Sequence, residues 1–305
     1  MDEIKKEFRS GFVAIIGSPN VGKSTLLNSI LKQRISIVTP KAQTTRDKII
    51  GILTQDNYQI VFVDTPGIIK PKYLLQDVMM TYSTSAARDA DITLYMVDAK
   101  DIQNEIINSE KMFPMKMRPV SNQKLFLVIN KIDLLKKEDV LLLIQKLKDV
   151  FNWDEIVPIS AIKKYNLDEL IKGIVKYLPI HPAYYGEEQV SDKTEKFFVS
   201  EIIRENIFQL YSDEIPYSTT VVTTDFKERK SKKFYISAEI FVERTSQKGI
   251  IIGKNGAKLK ILGERSRIQI EGFLQHAIFL ELFVKVREQW RDNKDWLNRL
   301  GYSRE

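Results

Sequence analysis

The sequence predicts an α/β domain with a mostly parallel sheet, followed by a smaller α+β domain. A chain of 305 residues has room for about two domains, each with its own core. In the first part, short apolar runs alternate with stretches of helical spacing, and polar or glycine-rich loops separate them. The later part changes to an α-β-β-α-α-β order. We therefore predict a first domain at 1–180, a polar linker at 181–196, and a second domain at 197–305 that ends in a C-terminal helix.

The composition excludes several kinds of site. The chain has no cysteine, which excludes disulfides and thiolate metal ligands. The two histidines, His181 and His276, lie far apart without metal-ligand spacing, so we predict structural roles for both. No apolar run reaches the ~20 residues of a membrane span, and the first residues lack the apolar core of a secretion signal. We predict a cytoplasmic, monomeric protein.

The stretch at 17–25 reads GSPNVGKST and joins a short apolar strand pattern, FVAII, to a helical pattern, TLLNSIL. A turn of the form G-x-x-x-x-G-K-[ST] in this context holds phosphate, because its backbone N–H groups converge on phosphate oxygens and the helix adds its positive dipole end. Lys23 is placed to reach the β- and γ-phosphates, and Ser24 to ligate Mg²⁺. The alternative is a glycine-rich turn that binds nothing. The predicted nucleotide contacts here are Gly17, Ser18, Pro19, Asn20, Val21, Gly22, Lys23, Ser24 and Thr25.

A second apolar strand, QIVFVDTPG, ends in residues that suit the γ-phosphate end of a nucleotide. Asp64 is a carboxylate placed to hold the Mg²⁺ shell, and the N–H of Gly67 is placed to meet a γ-phosphate. Thr65 and Pro66 lie between them and complete this predicted contact segment.

Two further strands end in residues that suit the base. The run LFLVINKID presents Asn130, Lys131 and Asp133. A carboxylate at Asp133 accepts hydrogen bonds from N1–H and from the 2-amino group of guanine, and adenine has neither donor at that edge. The run EIVPIS ends at Ser160 and Ala161, where a backbone N–H is placed to meet guanine O6. These residues predict GTP and GDP as the ligands.

Together these segments resemble the nucleotide-binding elements of Ras-like P-loop GTPases, so we expect that fold for the first domain. The resemblance implies a threonine ligand to Mg²⁺ between the first helix and the second strand. Thr44 and Thr45 are the candidates, and the pattern TTR favours Thr45. The implied metal ligands are Ser24, Thr45 and Asp64, and the implied catalytic residues are Lys23, Thr45 and Gly67.

One position departs from the Ras pattern. Ile68 follows Gly67 where Ras-like enzymes have a glutamine that orients the attacking water. We therefore expect slow intrinsic hydrolysis that RNA or a cation stimulates. Asn20 matches an asparagine with which several such GTPases hold K⁺, and a loop-capping role for Asn20 is the alternative.

Basic charge is concentrated in the second domain. Residues 227–267 carry twelve Lys or Arg against four Asp or Glu, while the net charge of the whole chain is only +7. Within this stretch, GKNG at 253–256 lies between two helical patterns and resembles the GxxG loop of a type II KH domain, which clamps about four nucleotides of single-stranded RNA. A plain interhelical turn is the alternative, and for Arg267 a solvated helix face is the alternative to an RNA contact. The predicted RNA contacts are Ile252, Gly253, Lys254, Asn255, Gly256, Lys258 and Arg265.

A Ras-like GTPase domain followed by a type II KH domain resembles the Era family of bacterial ribosome-assembly GTPases. The matching segments run from SPNVGKSTLLN to LELFVKVREQW, nearly the whole chain. The resemblance implies GTP hydrolysis, binding of the 3′ end of 16S rRNA on the pre-30S particle during 30S assembly, and peripheral contact with the cytoplasmic face of the membrane. Two other hypotheses stay open: an RNA-binding scaffold that rarely hydrolyses GTP, and a membrane-linked signalling GTPase whose basic stretch contacts anionic lipid.

Overall fold

The chain folds into two compact units in a computed structural model. The structure describes residues 7–101, 122–148, 152–228 and 232–302. The first unit comprises the described residues of Met1–Ser36, Thr45–Pro71 and Met79–Asp192, and the second comprises those of Ile37–Thr44, Lys72–Val78 and Lys193–Glu305. No helix in the described part of the chain is long and apolar enough to cross a membrane.

The first unit contains a six-stranded sheet with the order β2-β3-β1-β4-β5-β6. All neighbouring strands are parallel except β2, which runs antiparallel to β3. The predicted α/β class with a mostly parallel sheet is therefore confirmed. The strands are β1 Arg9–Gly17, β2 Ile49–Gln55, β3 Tyr58–Asp64, β4 Ile92–Asp98, β5 Lys124–Asn130 and β6 Glu155–Pro158, and the helices are α1 Lys23–Leu31, α2 Leu74–Asp89, α3 Lys137–Lys148 and α4 Leu167–Tyr177.

The sheet register explains why the polar strand ends meet. In the parallel pairing of β1 with β3, Ile15 lies opposite Asp64, so the phosphate loop begins close to that carboxylate. Asp98 and Asn130 pair at the ends of β4 and β5. The strands have continuous apolar sequences because helices cover a parallel sheet on both faces. In β1, for example, Val13–Ile16 are fully buried.

The second unit contains a three-stranded sheet with the order β7-β8-β9, in which β8 is antiparallel to β7 and parallel to β9. Val199, Ile203 and Ile207 of the first helix belong to its buried core, together with Ile251 and Leu262. The predicted α-β-β-α-α-β order is present, with one short extra helix, α6, whose single turn is too brief to give a periodic pattern. The elements are α5 Glu195–Leu210, α6 Ile215–Ser218, β7 Thr220–Lys227, β8 Phe234–Val242, α7 Thr245–Ile252, α8 Ala257–Leu274, β9 Ile278–Val286 and α9 Lys294–Arg299.

Part of the segment predicted as a linker is attached to the first unit. The N–H of Ile52 in β2 donates to the carbonyl of Val190 at 2.8 Å, and the Ser191 hydroxyl donates to the Ile50 carbonyl at 2.6 Å. Strand β2 is the edge of its sheet, so its outward backbone groups need partners. The sequence pattern did not show this attachment because the segment has no periodicity of its own.

Candidate nucleotide and RNA sites

The phosphate loop connects β1 to α1 and contains two glycines that no other residue can replace easily. Gly17 has φ +153°, and a Cβ there would lie 2.3 Å from the carbonyl oxygen of Met96. Gly22 has φ +100°, and a Cβ there would lie 2.3 Å from Nδ2 of Asn130. The two glycines therefore bring the loop into direct contact with the ends of two other strands.

Lys23 begins helix α1 and is only 6% exposed. Its Nζ donates to the carbonyl oxygens of Gly17 at 3.0 Å and Ser18 at 2.9 Å. The ammonium group thus lies over the loop, where the helix N-terminus also favours an anion. This geometry suits a lysine that binds phosphate.

The three predicted metal ligands lie together. The Ser24 hydroxyl donates to Oδ2 of Asp64 at 2.6 Å, and the hydroxyl oxygens of Ser24 and Thr45 are 3.0 Å apart. Thr44 instead donates to the carbonyl oxygen of Lys41 at 2.7 Å, so the geometry favours Thr45 of the two candidates.

The environment of Asp64 also suits a cation. Burial raises the pKa of Asp64, and its Oδ1 is buried without a hydrogen-bond partner in the described part of the chain. Carboxylate and hydroxyl oxygens are the donors that Mg²⁺ prefers, and a cation beside Asp64 would offset the desolvation of its charge. The residues present therefore fit Mg²⁺.

Gly67 lies against the phosphate loop, and the next side chain points elsewhere. A Cβ on Gly67 would lie 2.7 Å from the backbone nitrogen of Pro19. The N–H of Ile68 donates to the Gly17 carbonyl at 3.1 Å, while its side chain is 6% exposed and packs in the hydrophobic core. Ile68 therefore supplies no group to orient water.

The segments predicted to read the base are joined by hydrogen bonds. Nδ2 of Asn130 donates to the Val21 carbonyl at 2.7 Å, and its Oδ1 accepts the N–H of Ala161 at 2.9 Å. The Ser160 hydroxyl donates to Oδ1 of Asp133 at 2.5 Å, which helps to orient the carboxylate predicted to read guanine.

The backbone at 160–161 differs from the sequence expectation in one respect. The N–H of Ser160 donates to the carbonyl of Tyr165, and the N–H of Ala161 donates to Asn130. Both N–H groups of the segment in which one was predicted to meet guanine O6 therefore have partners within the protein.

Sequence reasoning missed Asp98, which lies at the end of β4. Its Oδ2 accepts a hydrogen bond from Nζ of Lys131 at 2.5 Å, so it fixes a lysine that was predicted to contact the nucleotide. The signal was present in the sequence, because Asp98 ends a buried strand in the same way as Asp64.

We expect Asp133→Asn to reverse the preference of the protein from GTP to xanthosine triphosphate. The amide presents a donor to the 2-oxo group of xanthine and loses one of two charge-assisted acceptors for guanine. The measurement is competition between the two nucleotides, with Asp139→Asn, an exposed carboxylate of α3, as the matched control. An unchanged preference would show that Asp133 does not read the base.

The GxxG segment between α7 and α8 forms a tight loop. Gly253, Asn255 and Gly256 have φ values of +71°, +50° and +76°. A Cβ on Gly253 would lie 2.7 Å from the side chain of Lys258, which lies in the first turn of the next helix. Lys254 and Asn255 are exposed at the tip, while Ile252 is half-buried at the end of α7. A strand of RNA can therefore approach the loop backbone closely.

The arginines of α8 differ in their interactions. Arg267 forms an ion pair with Glu271 of the same helix at 2.8 Å, which favours the solvated-face interpretation for Arg267. Arg265 is exposed and forms no ion pair with any described residue. Of the two, Arg265 is the better candidate for a phosphate contact.

Comparisons with known proteins match both parts of the chain. A family model described as "50S ribosome-binding GTPase" matches residues 12–131, and a KH domain model matches residues 214–291. The chain is 44% identical over 299 residues to GTPase Era of Clostridium botulinum strain Okra, covering 97% of this chain and 99% of that protein. Era of strain Hall is also 44% identical, over 297 residues, with 97% and 98% of the two chains covered.

Two solved structures match nearly the whole chain. One is Era in complex with MgGDPNP and nucleotides 1506–1542 of 16S ribosomal RNA, with a TM-score of 0.91 and 38% identity over 97% of this chain and 99% of that one. The other is a variant of Aquifex aeolicus Era bound to GDP and AlF4⁻, with a TM-score of 0.90 and 37% identity over 97% and 100% of the two chains. The chain therefore belongs to the Era family of GTPases.

Proposed function

We propose that this GTPase uses its nucleotide state to control how its KH loop binds the 3′ end of 16S rRNA during maturation of the pre-30S particle. The proposal is supported by the basic stretch around the GxxG loop and by the related Era that was solved with 16S rRNA nucleotides. Peripheral contact with the membrane and the K⁺ role of Asn20 stay predictions.

One set of contacts within the second unit carries the proposal. Nζ of Lys41 donates to the carbonyl oxygens of Phe208, at 2.6 Å, and Tyr211, beyond the end of α5. The Tyr211 hydroxyl donates to the carbonyl of Ile251 at 2.8 Å, two residues before Gly253. Burial raises the pKa of Tyr211 to about 12, so its hydroxyl remains a donor at neutral pH. The segment that precedes Thr45 is thus linked by hydrogen bonds to the helix that ends at the GxxG loop.

The proposed mechanism begins at the γ-phosphate. Lys23 and the N–H of Gly67 bind it, and Thr45 approaches it together with Ser24 and Asp64, which would hold Mg²⁺. A bound Mg²⁺ would supply positive charge that offsets the negative charge of the phosphates. Because Ile68 is buried in the core, no side chain at that position orients water, and we propose that hydrolysis is slow until RNA or a cation stimulates it.

Loss of the γ-phosphate releases Thr45 and the loop that precedes it, which is an order–disorder transition of the kind that GTPase switches use. Lys41 is only four residues before Thr45, so its bonds to Phe208 and Tyr211 are expected to weaken at the same time. The GxxG loop then loses one of its supports.

The test is RNA binding by the full chain in two nucleotide states. A labelled RNA with the sequence of the 3′ end of 16S rRNA is titrated in GDP and in a non-hydrolysable GTP analogue, with a scrambled RNA as the control. We expect the affinity for the cognate RNA to differ by about 5- to 150-fold between the two states, the usual range of allosteric coupling. Equal affinities in both states would contradict control by the nucleotide, and displacement of the RNA by phosphatidylglycerol vesicles would indicate that lipid shares the basic surface.

We expect Lys41→Ala to bring the ratio of RNA affinities in the two nucleotide states closer to one. The variant loses two hydrogen bonds worth about 1 kcal/mol each. The ratio of RNA affinities should therefore decrease by about 5-fold if one bond contributes to it and by about 30-fold if both do. Because these bonds are proposed to weaken with loss of the γ-phosphate, GTP affinity is expected to fall by no more than the same factor, and Lys172→Ala, on the exposed face of α4, is the control.

A double-mutant cycle sharpens this prediction. If Lys41 and Tyr211 act in series, Tyr211→Phe in the Lys41→Ala background has little further effect on the ratio. Independent, additive effects of the two changes would contradict the series arrangement.

A further inference from the structure

The hydrogen bonds around Asp64 extend beyond the three predicted metal ligands to Ser36, which is 2% exposed. The Ser36 hydroxyl donates to Oδ2 of Asp64 at 2.8 Å, and the Ser24 hydroxyl donates to the same oxygen at 2.6 Å. The other oxygen, Oδ1, is buried and accepts no hydrogen bond from the described residues. Two hydroxyl groups thus donate to Oδ2 of the carboxylate, which also receives a backbone hydrogen bond from Thr65, while Oδ1 is left for a further partner.

The position of Ser36 is set by helix α1. Oδ1 of Asn28 accepts the N–H groups of Ile35 and Ser36, each at 3.0 Å, and its Nδ2 donates to the Ser36 carbonyl at 2.7 Å. Asn28 lies four residues after Ser24, so both side chains lie on the same face of α1. Helix α1 therefore supplies the Ser24 hydroxyl that donates to Asp64, and it also supplies the Asn28 amide that fixes the position of Ser36.

Fixing the carboxylate has a chemical consequence. A hydroxyl of Ser24 that ligates a cation through its oxygen can still donate its hydrogen to Asp64, so the bond to Oδ2 is compatible with an occupied metal site. Without Ser36, the carboxylate of Asp64 would keep only the Ser24 hydroxyl and the backbone N–H of Thr65 among its hydrogen-bond donors, and it would be less well oriented. Outer-shell partners of this kind tune metal affinity in proteins.

We propose that Ser36, clamped by Asn28, is a positioning residue that orients Asp64 for the Mg²⁺ that accompanies the nucleotide. The inference rests on the Mg²⁺ site proposed above. Neither Ser36 nor Asn28 is among the residues predicted from the sequence to contact the nucleotide, and Ser36 is the last residue before the segment of 37–44 that groups with the second unit.

The test measures the affinity of the full chain for a fluorescent GDP as a function of Mg²⁺ concentration, from excess EDTA to millimolar Mg²⁺. We expect Ser36→Ala to raise the Mg²⁺ concentration at half-maximal effect about tenfold, the lower end of the range for outer-shell changes. In EDTA, the affinity of Ser36→Ala for the fluorescent GDP should remain within about twofold of that of the unaltered protein, because the bonds of the phosphate loop are intact. Asn28→Ala should shift the Mg²⁺ midpoint in the same direction. Ser36→Thr keeps a hydroxyl at this position and should have the midpoint of the unaltered protein.

Controls separate a positioning role from a purely structural one. Ser10→Ala also removes a buried hydroxyl from the first unit, one that donates to the Pro182 carbonyl at 2.6 Å, and it should leave the Mg²⁺ midpoint unchanged. An equal loss of affinity in EDTA and in Mg²⁺ for Ser36→Ala, or an unshifted midpoint, would overturn the inference. If the GDP affinity of the unaltered protein does not depend on Mg²⁺, the proposed Mg²⁺ site itself is wrong. This outcome is distinct from a failure of the role proposed for Ser36.

Discussion

GTP affinity is expected to fall by about a hundred- to ten-thousand-fold in Lys23→Ala. The lysine is buried over the phosphate loop and is the full positive charge available to the β- and γ-phosphates there. Two charge-assisted hydrogen bonds at about 1.5–3 kcal/mol each account for a loss of this size. Equilibrium titration with a fluorescent GTP analogue measures it.

The matched control for Lys23→Ala is Lys172→Ala, which removes an exposed lysine of α4 that pairs with Glu169. The control is expected to bind GTP like the unaltered protein. If the Lys23 variant is folded and still binds GTP with full affinity, the loop at 17–25 does not hold the phosphates.

The second large effect is expected in the KH loop, where Lys254→Asp with Asn255→Asp should abolish measurable RNA binding at physiological salt. Both side chains are exposed at the tip of the loop, and the two glycines that shape it remain. The change places two carboxylates where the RNA backbone is predicted to pass. Any residual binding should depend less on salt, because the log–log slope falls by about 0.7 for each phosphate of a single strand that the protein ceases to neutralise.

A control with the same change in net charge is available in the second unit. Lys294→Asp with Asn298→Asp replaces one exposed lysine and one exposed asparagine of α9. This pair should weaken RNA binding far less than the change in the loop. GTP affinity should be unchanged in both double variants, and equal loss of RNA binding in both would mean that net charge, not the GxxG loop, determines binding.

The clustering of the candidate nucleotide-site residues could be predicted because these residues end parallel strands. Asp64 and Asn130 each follow a buried apolar run, and the carboxyl ends of such strands meet at one edge of the sheet. The Thr44 and Thr45 alternative could not be resolved from sequence, since both are hydroxyls in one loop. Only the path of that loop shows that Thr45 approaches Ser24.

Other features depend on long-range hydrogen bonds that no local pattern encodes. Ser36 lies in a loop without a motif, and the role proposed for it depends on the amide of Asn28 in helix α1, which fixes its position. Tyr211 lies beyond the last turn of α5, and its hydroxyl reaches a carbonyl forty residues later in the chain. Such long-range side-chain to backbone bonds leave no periodic signal in the sequence, and physical reasoning from composition or spacing cannot find them.

The side chain of Asn130 gives the nucleotide site a property that neither loop has alone. The amide joins the phosphate loop at Val21 to the base-reading loop at Ala161, so ordering one loop also orders the other. The conformational entropy lost on binding is then shared by the two ends of the ligand, as in chelation. We therefore expect guanosine and triphosphate, offered as separate molecules, to bind much more weakly than GTP, because each alone must order both loops.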